Sequence, residues 1–336
     1  MDIATLTQII ARFADKKVLV VGDMVLDEYI IGTPTRISRE APVLILEQRE
    51  QFTVPGGAIN PGINARTLGA DVYLSGLVGN DLPGARLRAK LDEFSIHCEG
   101  LCSEASRPTS TKTRILAGSS QLVQQQIVRV DVFDGSRLGD GSQAEMLAYI
   151  EQTLPQMDAI IISDYENCVI SPAIIETCVS LARQHDKIIT VDSHDDLFRF
   201  RGVTSVTPNQ PEAEATLKTA ITDLASLEAA GQQLLAGMQA QGVLITRGSE
   251  GMSLFEPGKP PLHLPAINLT EVRDTTGAGD TVTATFTLAL AAGADMAQAT
   301  ILANIAASLV VRRLGCASNT PEELIRGVED ALRAES

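Results

Sequence analysis

A glycine-rich turn followed by a carboxylate stands out in the C-terminal third of the chain, where residues 274–286 read DTTGAGDTVTATF. Glycine costs a helix about 1 kcal/mol relative to alanine, yet Gly277 and Gly279 stand where an apolar helical run begins. A helix N-terminus presents free N–H groups that attract anions, and glycine lets the backbone approach a phosphate closely. The pattern therefore predicts an anion site at residues 277–279, with Asp280 beside it. Ordinary helix capping by Asp280 is the alternative.

Other polar residues follow short apolar runs that are typical of buried strands. Ligands of parallel sheets bind where strands end and loops enter helices, so we expect these residues to meet at one edge of a sheet. A strand-end turn would also explain Asp23, and a helix N-terminal acid would also explain Glu212. The residues concerned are Asp23, Asp27, Asp164, Asp192, Asn209, Glu212 and the segment 246–251.

The elements that must position these residues alternate along the chain. From residue 140 onward, helical patterns separate apolar strands, which predicts a parallel sheet with helices on both faces. Two helix-poor segments, about 28–53 and 98–130, do not fit that sheet and predict a small β-sheet lid. The expected fold class is α/β, with one domain over residues 1–336. The strands of the regular part are predicted at 158–164, 187–192, 204–207 and 242–246.

The composition narrows the classes of partner. With 27 basic and 42 acidic residues the formal charge is −15, which disfavours binding to nucleic acid or to an anionic membrane. An anionic substrate would need a local cluster of cations. The five scattered cysteines indicate reduced, structural thiols. The longest apolar stretch, 282–292, is too short to span a bilayer, and residues 1–17 do not resemble a signal peptide, so we expect a soluble, cytoplasmic protein.

The segment DTTGAGDTVTATF resembles the C-terminal signature of the ribokinase-like (PfkB) sugar kinases. PGGAINPGINARTLGA (55–70) is similar to the family's sugar-contacting GGxxxN segment, and TPNQPEAE (207–214) to its NxxE element near magnesium and phosphate. TRGSEG (246–251) resembles the strand-end loop beside the nucleotide phosphates. The resemblance extends over residues 18–315 and implies a mostly parallel central sheet with a small β-sheet lid.

Within this family the closest resemblance is to the D-glycero-D-manno-heptose 7-phosphate kinases of ADP-heptose synthesis. It is carried by residues 18–43, SDYENC (163–168), FRFRGVTSVTPN (198–209) and GMSLFEPGKPPLHLP (251–265). Such kinases are often fused to a nucleotidyltransferase, and a chain of 336 residues is expected to be the stand-alone form. The chain departs from the subgroup at DSHDD (192–196), where DPKG is usual, and at SDYENC, where SDYAKG is usual.

The resemblance implies a role for each candidate residue. Asp280 matches the catalytic base, with the N–H groups of Gly277, Ala278 and Gly279 as an anion hole for the transferred phosphoryl group. The implied sugar-binding residues are Asp23, Asp27, Gly56, Gly57, Asn60 and Asp164, with Tyr165 as a further contact. The implied nucleotide-binding residues are Asn209, Glu212, Thr246, Arg247, Gly248, Gly251 and Asn304.

A phosphate on the acceptor would require cations, and the two predicted lid segments contain four. Arg36 and Arg39 lie in TRISRE, and Lys112 and Arg114 lie in TKTR. The arginine fork suits a phosphate. Solvated charges on exposed strands are the alternative for each of the four.

The implied cofactors are ATP and Mg²⁺, with Glu212 acting on the metal through water because Mg²⁺ keeps several of its waters. Asp274 and Thr276, with backbone near residues 313–315, match weakly a loop that binds a monovalent cation such as K⁺. The resemblance also implies a homodimer that pairs through the lid. The alternatives are a kinase of the same family for another ketose or aldose, without a phosphate on the acceptor, and a non-catalytic sugar-phosphate sensor.

Overall fold

The computed structural model describes residues 2–119, 122–267, 272–313 and 315–334. Residues 120 and 121 of the second predicted lid segment and residue 314 of the predicted cation loop lie outside these ranges. The helices of the described part are α1 Ile3–Ala11, α2 Ile59–Thr67, α3 Leu82–Glu93, α4 Asp140–Thr153, α5 Pro172–Gln184, α6 Gln210–Leu217, α7 Leu224–Met238, α8 Ala278–Ala291, α9 Met296–Val310 and α10 Pro321–Ala334.

The strands of the same ranges alternate with these helices over most of the chain. They are β1 Lys17–Gly22, β2 Met24–Ile37, β3 Leu44–Gly57, β4 Asp71–Gly79, β5 His97–Glu104, β6 Ser110–Ser119, β7 Leu122–Val132, β8 Ala159–Asp164, β9 Ile188–Ser193, β10 Ser205–Val206, β11 Gly242–Thr246, β12 Met252–Phe255 and β13 Leu262–Leu264. The alternation from residue 140 onward agrees with the pattern predicted from hydrophobic periodicity.

The larger sheet is mostly parallel, as predicted. Its strands in the described residues follow the order β13-β12-β11-β10-β9-β8-β1-β4-β5. All neighbours from β11 to β5 pair in parallel, and β12 and β13 add antiparallel pairs at one edge. The carboxyl ends of the parallel strands therefore meet at one edge, where the polar residues singled out in the sequence are found.

The core lies in two layers, one on each face of this sheet. Successive side chains of a strand point to opposite faces, and β1 shows the result directly. Val18 and Val20 pack into the layer that contains Phe286 of α8, whereas Leu19 and Val21 pack into the other layer. These four side chains are fully buried, which explains why β1 reads as an unbroken apolar run.

The smaller sheet has the order β3-β2-β6-β7. β2 continues almost directly from β1, and β3 runs straight into α2, so this sheet lies at the carboxyl edge of the larger one. The second lid segment was predicted to begin at residue 98, but His97–Glu104 forms β5 and pairs in parallel with β4 of the larger sheet. The absence of a helical pattern did not distinguish the two sheets, because an edge strand of the larger sheet also lacks such a pattern. Leu101 and Cys102 of this strand are buried.

Two predictions about the whole chain concern membranes and thiols. Across the described ranges, none of the helices is both long and apolar enough to cross a bilayer. All five cysteines are free thiols. Cys98 and Cys102 lie on the same strand, β5, and do not form a disulfide.

Candidate active site

The glycine-rich turn forms the start of α8, and its two glycines have different reasons to be there. Gly277 is the N-cap and has φ +76°, a left-handed conformation that a side chain disfavours. A Cβ at Gly277 would also lie 3.3 Å from Cys316 Sγ. At Gly279 a Cβ would meet no described atom within 4 Å. The fold therefore needs glycine at 277, whereas at 279 glycine keeps the space before the helix N-terminus open.

Asp280 lies in the first turn of α8 and is only 5% exposed. Its Oδ1 accepts a hydrogen bond from the hydroxyl of Tyr165 at 3.1 Å. Burial raises the pKa of Asp280 to about 7, even though Tyr165 and Asn60 favour the carboxylate by hydrogen bonding. A carboxyl group with such a pKa can accept a proton near neutral pH, which is what a general base requires.

A second acid, Asp192, lies beside Asp280 at the end of β9. Burial, together with the carboxylates of Asp280 and Glu212, raises the pKa of Asp192 to about 8. The sequence placed Asp192 at a strand end but predicted no role for it, because only the tertiary structure brings it to Asp280. The three acids lie close together at this edge of the sheet, and their mutual repulsion disfavours the ionisation of all three at once.

Asp23 is buried behind the site and holds a loop. Only 1% of this residue is exposed, and its Oδ2 accepts hydrogen bonds from the backbone N–H groups of Tyr165 at 2.7 Å and Asn167 at 3.2 Å. Burial and the neighbouring Asp164 raise its pKa to about 6. These contacts are those of a strand-end turn, the alternative that the sequence left open for Asp23.

Asp27, on β2, forms an ion pair within the small sheet. Its Oδ1 accepts a hydrogen bond from Arg114 at 2.6 Å, and a Cβ at Gly56 would collide with its carboxylate. Gly57 has φ +59° and turns the chain into α2. The glycines of the GGxxxN segment therefore allow the Asp27 carboxylate to lie against the β3–α2 connection.

Asn60, in the first turn of α2, joins the acceptor side to the start of α8. Its Nδ2 lies 3.7 Å from Cys316 Sγ, and its side chain helps to lower the pKa of Asp280 against the effect of burial. Cys316 was not predicted to take part, since a lone cysteine carries no recognisable motif. Burial and the nearby Asp280 raise the pKa of this thiol to about 12, so it is not ionised near neutral pH.

The four cations predicted to hold an acceptor phosphate are not brought together. Arg36 pairs with Ile45 near the tip of the β2–β3 hairpin, roughly 30 Å along β2 from Asp27 at a rise of about 3.3 Å per residue. Arg39 lies in the turn beyond it, and both are exposed. Only Lys112 and Arg114, on β6, lie at the site, because strand register and not proximity in sequence decides which cations meet.

Lys112 and the neighbouring strand β7 border a small cavity of about 220 Å³ beside the loop that carries Tyr165. The Nζ of Lys112 lies 5.2 Å from the centre of the Tyr165 ring. Arg129, which the sequence did not single out, lines the same cavity and is hydrogen-bonded to Asp131. Asp131 and Glu166 also line it, so the cavity contains cations and acids together.

Asp164, at the end of β8, is 2% exposed and borders a cavity of about 360 Å³ that Arg199 also lines. Its Oδ2 accepts a hydrogen bond from Arg199 at 2.9 Å, and its Oδ1 accepts one from the backbone N–H of Glu166 at 3.1 Å. Burial raises the pKa of Asp164. Its observed partners support the segment 165–168.

A mostly apolar cavity of about 390 Å³ opens beside the N-terminus of α8. Four of the residues predicted to bind a nucleotide line it, together with Ala278 and Gly279 of the turn. Asn304 is 7% exposed, and its Nδ2 donates to Pro265 O at 2.9 Å. The four residues are Thr246, Gly248, Gly251 and Asn304.

Asn209 and Glu212 form a capping box at the start of α6. One oxygen of Glu212 accepts the Asn209 N–H at 2.8 Å, and the other lies 2.5 Å from Nδ1 of His194. Neither residue lines the cavity, and nor does Arg247, which forms an ion pair with Glu250. In the described ranges no cluster of three or more His, Cys, Asp and Glu side chains could hold a metal by itself.

Asp274 and Thr276 form a tight loop before α8. Asp274 Oδ1 accepts hydrogen bonds from Thr276 N and Oγ1, and Oδ2 accepts one from Gly315 N at 2.8 Å. Burial opposes the shift, but these bonds hold the pKa of Asp274 below its usual value. The loop therefore contains a fixed negative charge beside Gly315, in the region predicted to bind a monovalent cation.

The sequence of this chain is similar to those of known proteins over most of its length. The profile described as pfkB family carbohydrate kinase matches residues 15–323. The bifunctional protein HldE of Caulobacter vibrioides is 43% identical over 315 residues, which is 93% of this chain and 63% of that protein. The bifunctional protein HldE of Citrifermentans bemidjiense is 39% identical over 318 residues, which is 94% of this chain and 64% of that protein. The chain thus spans somewhat less than two thirds of these relatives.

Solved structures show the same fold at low sequence identity. Arabidopsis thaliana ribokinase, determined with ribose and ATP, has a TM-score of 0.74 at 19% identity and covers 94% of this chain and 99% of its own. Escherichia coli phosphofructokinase-2, determined with potassium, has a TM-score of 0.77 at 18% identity and covers 95% of this chain and 100% of its own. Both comparisons bear out the predicted ribokinase-like fold.

Proposed function

The chain belongs to the pfkB family of carbohydrate kinases, and on that premise we propose that it phosphorylates a sugar phosphate at the expense of ATP. The favoured acceptor is D-glycero-β-D-manno-heptose 7-phosphate, which would give the 1,7-bisphosphate. The observation that carries the proposal is Asp280: a buried carboxyl group whose pKa is about 7, at the start of a helix with an open glycine turn.

In the proposed reaction Asp280 accepts the proton of the attacking hydroxyl as the new phosphorus–oxygen bond forms, while the bond from the γ-phosphorus to the bridging oxygen of ATP breaks and ADP leaves. The N–H groups of residues 277–280 would stabilise the negative charge of the transferred phosphoryl group. Phosphoryl transfer depends mainly on positioning and charge stabilisation, so a rigid turn and one well-placed base suffice on the protein side.

ATP would occupy the apolar cavity beside α8. Its lining by Ala278 and Gly279 supports this assignment, because a nucleotide bound there would bring its phosphates to the anion hole. Asn304 would border the adenine of ATP. Thr246, Gly248 and Gly251 would lie near its phosphates. Arg247 would contribute only if it left Glu250.

The donors present fit Mg²⁺ bound mainly through water and phosphate. Mg²⁺ is usually held by one or two carboxylates together with substrate phosphates, which agrees with the lack of a preformed ligand cage in the described residues. Glu212 and Asn209 would hold the ion through its waters. When bound, Mg²⁺ would neutralise charge on the phosphates of the nucleotide.

The acceptor would lie between Asp280 and the small sheet, where Asp27 and Asn60 face Asp280. Lys112, which lies over the Tyr165 ring, would bind the acceptor's own phosphate, with Arg114 close to the sugar hydroxyls. Asp23 and Asp164 would act from behind by holding the loop. We propose the small sheet as the lid of this site.

The preference for a heptose phosphate rests on similarity. The two HldE proteins are 39% and 43% identical to this chain, and several segments of the sequence resemble heptose 7-phosphate kinases. The acids Asp131 and Glu166 in the cavity beside Lys112 favour the alternative, a kinase for a sugar without a phosphate. The two candidates differ in the acceptor and share the chemistry at Asp280.

We also propose a homodimer and a monovalent-cation site. Val128, Val130 and Val132 of the edge strand β7 are 44%, 50% and 46% exposed, and an exposed apolar edge strand favours pairing with another chain. The loop of Asp274 and Thr276 would bind K⁺. Sedimentation of Val130→Lys beside the unaltered protein tests the first proposal, and the K⁺ dependence of turnover tests the second.

The central experiment measures ATP consumption with a panel of sugars and sugar 1-, 6- and 7-phosphates. We expect turnover with heptose 7-phosphate, and Asp280→Asn should lower kcat by about 1,000-fold. Asp330→Asn, an exposed change on α10, is the matched control. Turnover on no acceptor would refute the kinase proposal, and a preference for an unphosphorylated sugar would refute the phosphate role of Lys112.

A further inference from the structure

The loop after β8 is held in place from three directions. Asp23 accepts hydrogen bonds from the N–H groups of Tyr165 and Asn167, and Asp164 accepts one from Glu166 N at 3.1 Å. Arg107, a 5% exposed residue before β6, donates to Asn167 O at 2.6 Å. Buried charged groups thus determine the backbone course of three consecutive residues, 165–167.

This loop has an unfavourable backbone. Glu166 has φ +63° and Cys168 has φ +60°, a left-handed conformation that favours glycine and that side chains of this kind disfavour. Such strain persists where the surroundings over-determine it, and it occurs most often at functional sites. The contacts of Asp23, Asp164 and Arg107 are the surroundings that maintain it here.

The strained loop directs the side chain of Tyr165 toward Asp280. Its hydroxyl donates to Asp280 Oδ1 at 3.1 Å, while its ring lies 5.2 Å from Nζ of Lys112 and contacts His194 edge-on at 4.8 Å between ring centres. Burial and the Asp280 carboxylate raise the pKa of Tyr165 well above its usual value. The phenol therefore keeps its proton and remains a donor throughout the neutral range.

We propose that Tyr165 is a positioning residue for the base: its hydroxyl holds Asp280 Oδ1, so that Oδ2 receives the proton of the acceptor hydroxyl. Asp23 acts one step further away by fixing the backbone of Tyr165. The inference rests on the proposed function, since it assigns a partner to the base of that reaction. It gives the buried Asp23 a role that does not require contact with the sugar.

Loss of the Tyr165 hydroxyl should change the pKa of Asp280 in one direction only. Asp280 is faced by Tyr165 and His194 from the loops after β8 and β9, by Asp192 from β9, by Asp27 from β2 and by Cys316. Of these, the acids disfavour the carboxylate form, whereas His194 and the Tyr165 hydroxyl stabilise it. Removing the hydroxyl should therefore raise the pKa of Asp280 and leave less of the base ionised at neutral pH.

The test is the pH profile of kcat/KM for Tyr165→Phe, which removes only the hydroxyl. We expect the acid limb to move up by about one pH unit, with kcat/KM about fivefold lower at pH 7 and largely restored near pH 9. KM for ATP should change less than about twofold, because Tyr165 does not line the nucleotide cavity. Asp23→Asn, which loosens the loop, should move the limb in the same direction.

Tyr73→Phe is the matched control. Its hydroxyl donates to Asp71 Oδ2 at 3.1 Å, the same kind of pair at the same distance, away from the site. Its profile should coincide with that of the unaltered protein. An acid limb that stays in place in both Tyr165→Phe and Asp23→Asn overturns the role of Tyr165 alone. An unaltered protein that phosphorylates no acceptor overturns the proposed function, and this inference with it.

Discussion

Arg114 donates a hydrogen bond to Asp27 Oδ1 at 2.6 Å, and so joins β6 to β2 within the small sheet. The two side chains are only 18% and 9% exposed. Arg114 Cζ also lies 5.4 Å from the centre of the Tyr29 ring. The hydrogen bond therefore orients the Asp27 carboxylate, which is proposed to contact the sugar. Because both side chains are mostly buried, each charge needs the other as its partner.

The first prediction concerns this pair. Arg114→Ala should lower the free energy of unfolding by about 3 kcal/mol, because it leaves the Asp27 carboxylate buried without a partner. Chemical denaturation measures the change. Arg49→Ala is the control, since its pair with Glu47 is 54% and 57% exposed and should contribute less than about 1 kcal/mol. Equal losses in the two variants would contradict the buried role of Arg114.

The second prediction separates the two glycines of the turn. Gly279→Ala should leave the free energy of unfolding nearly unchanged, because its Cβ meets no described atom, yet kcat should fall by about 100-fold as the methyl group enters the anion site. Gly277→Ala should destabilise the fold by about 1–2 kcal/mol, since φ is +76° there.

Gly141→Ala provides the comparison for Gly279→Ala. Gly141 lies within α4, and a Cβ there also meets no described atom within 4 Å. This variant should gain about 0.5 kcal/mol of stability with an unchanged kcat. Full activity of Gly279→Ala would mean that the turn does not bind the phosphoryl group.

The third prediction concerns stability and pH. The folded pKa values of Asp23, Asp280 and Asp192 are raised from 3.8 to about 6, 7 and 8. The folded protein therefore binds more protons than the unfolded chain between about pH 4 and pH 8. The ligand-free protein should lose stability as pH rises through this window.

Asp280→Asn should remove part of that slope. At about 1.4 kcal/mol per pKa unit, its contribution is at most about 4 kcal/mol, and the variant should melt at a higher temperature than the unaltered protein at pH 8. Thermal unfolding at several pH values measures this, with Asp330→Asn as the exposed control. If stability depended on pH as steeply in Asp280→Asn as in the unaltered protein, Asp280 would not be a source of that dependence.

The fourth prediction distinguishes the cations of the small sheet. Lys112→Ala should raise KM for a phosphorylated acceptor by about tenfold or more, as expected for the loss of a charge-assisted hydrogen bond. The double variant Arg36→Ala/Arg39→Ala should change it less than about twofold, because both residues lie near the hairpin tip. A large effect of the double variant would mean that the tip of a second copy reaches the site.

Local signals in the sequence predicted most of the elements and the position of the central turn. Hydrophobic periodicity identified α8 and the strands from β8 to β11, because burial on one or both faces leaves a short-range pattern. Gly277 marked the start of α8, and the structure adds that its φ is positive, a conformation that glycine adopts most easily. The family resemblance added the chemistry of Asp280, which periodicity alone cannot supply.

Only the tertiary structure decided which side chains meet. Tyr165 and Asp280 are 115 residues apart in the chain, and their hydrogen bond depends on where β8 and α8 lie in the fold. The same holds for Asp192, whose pKa reflects neighbours from distant segments. The register of β2 moved Arg36 away from the site although Asp27 lies on the same strand. Composition and spacing record local preferences, whereas pairing between distant strands and burial of charge are properties of the whole fold.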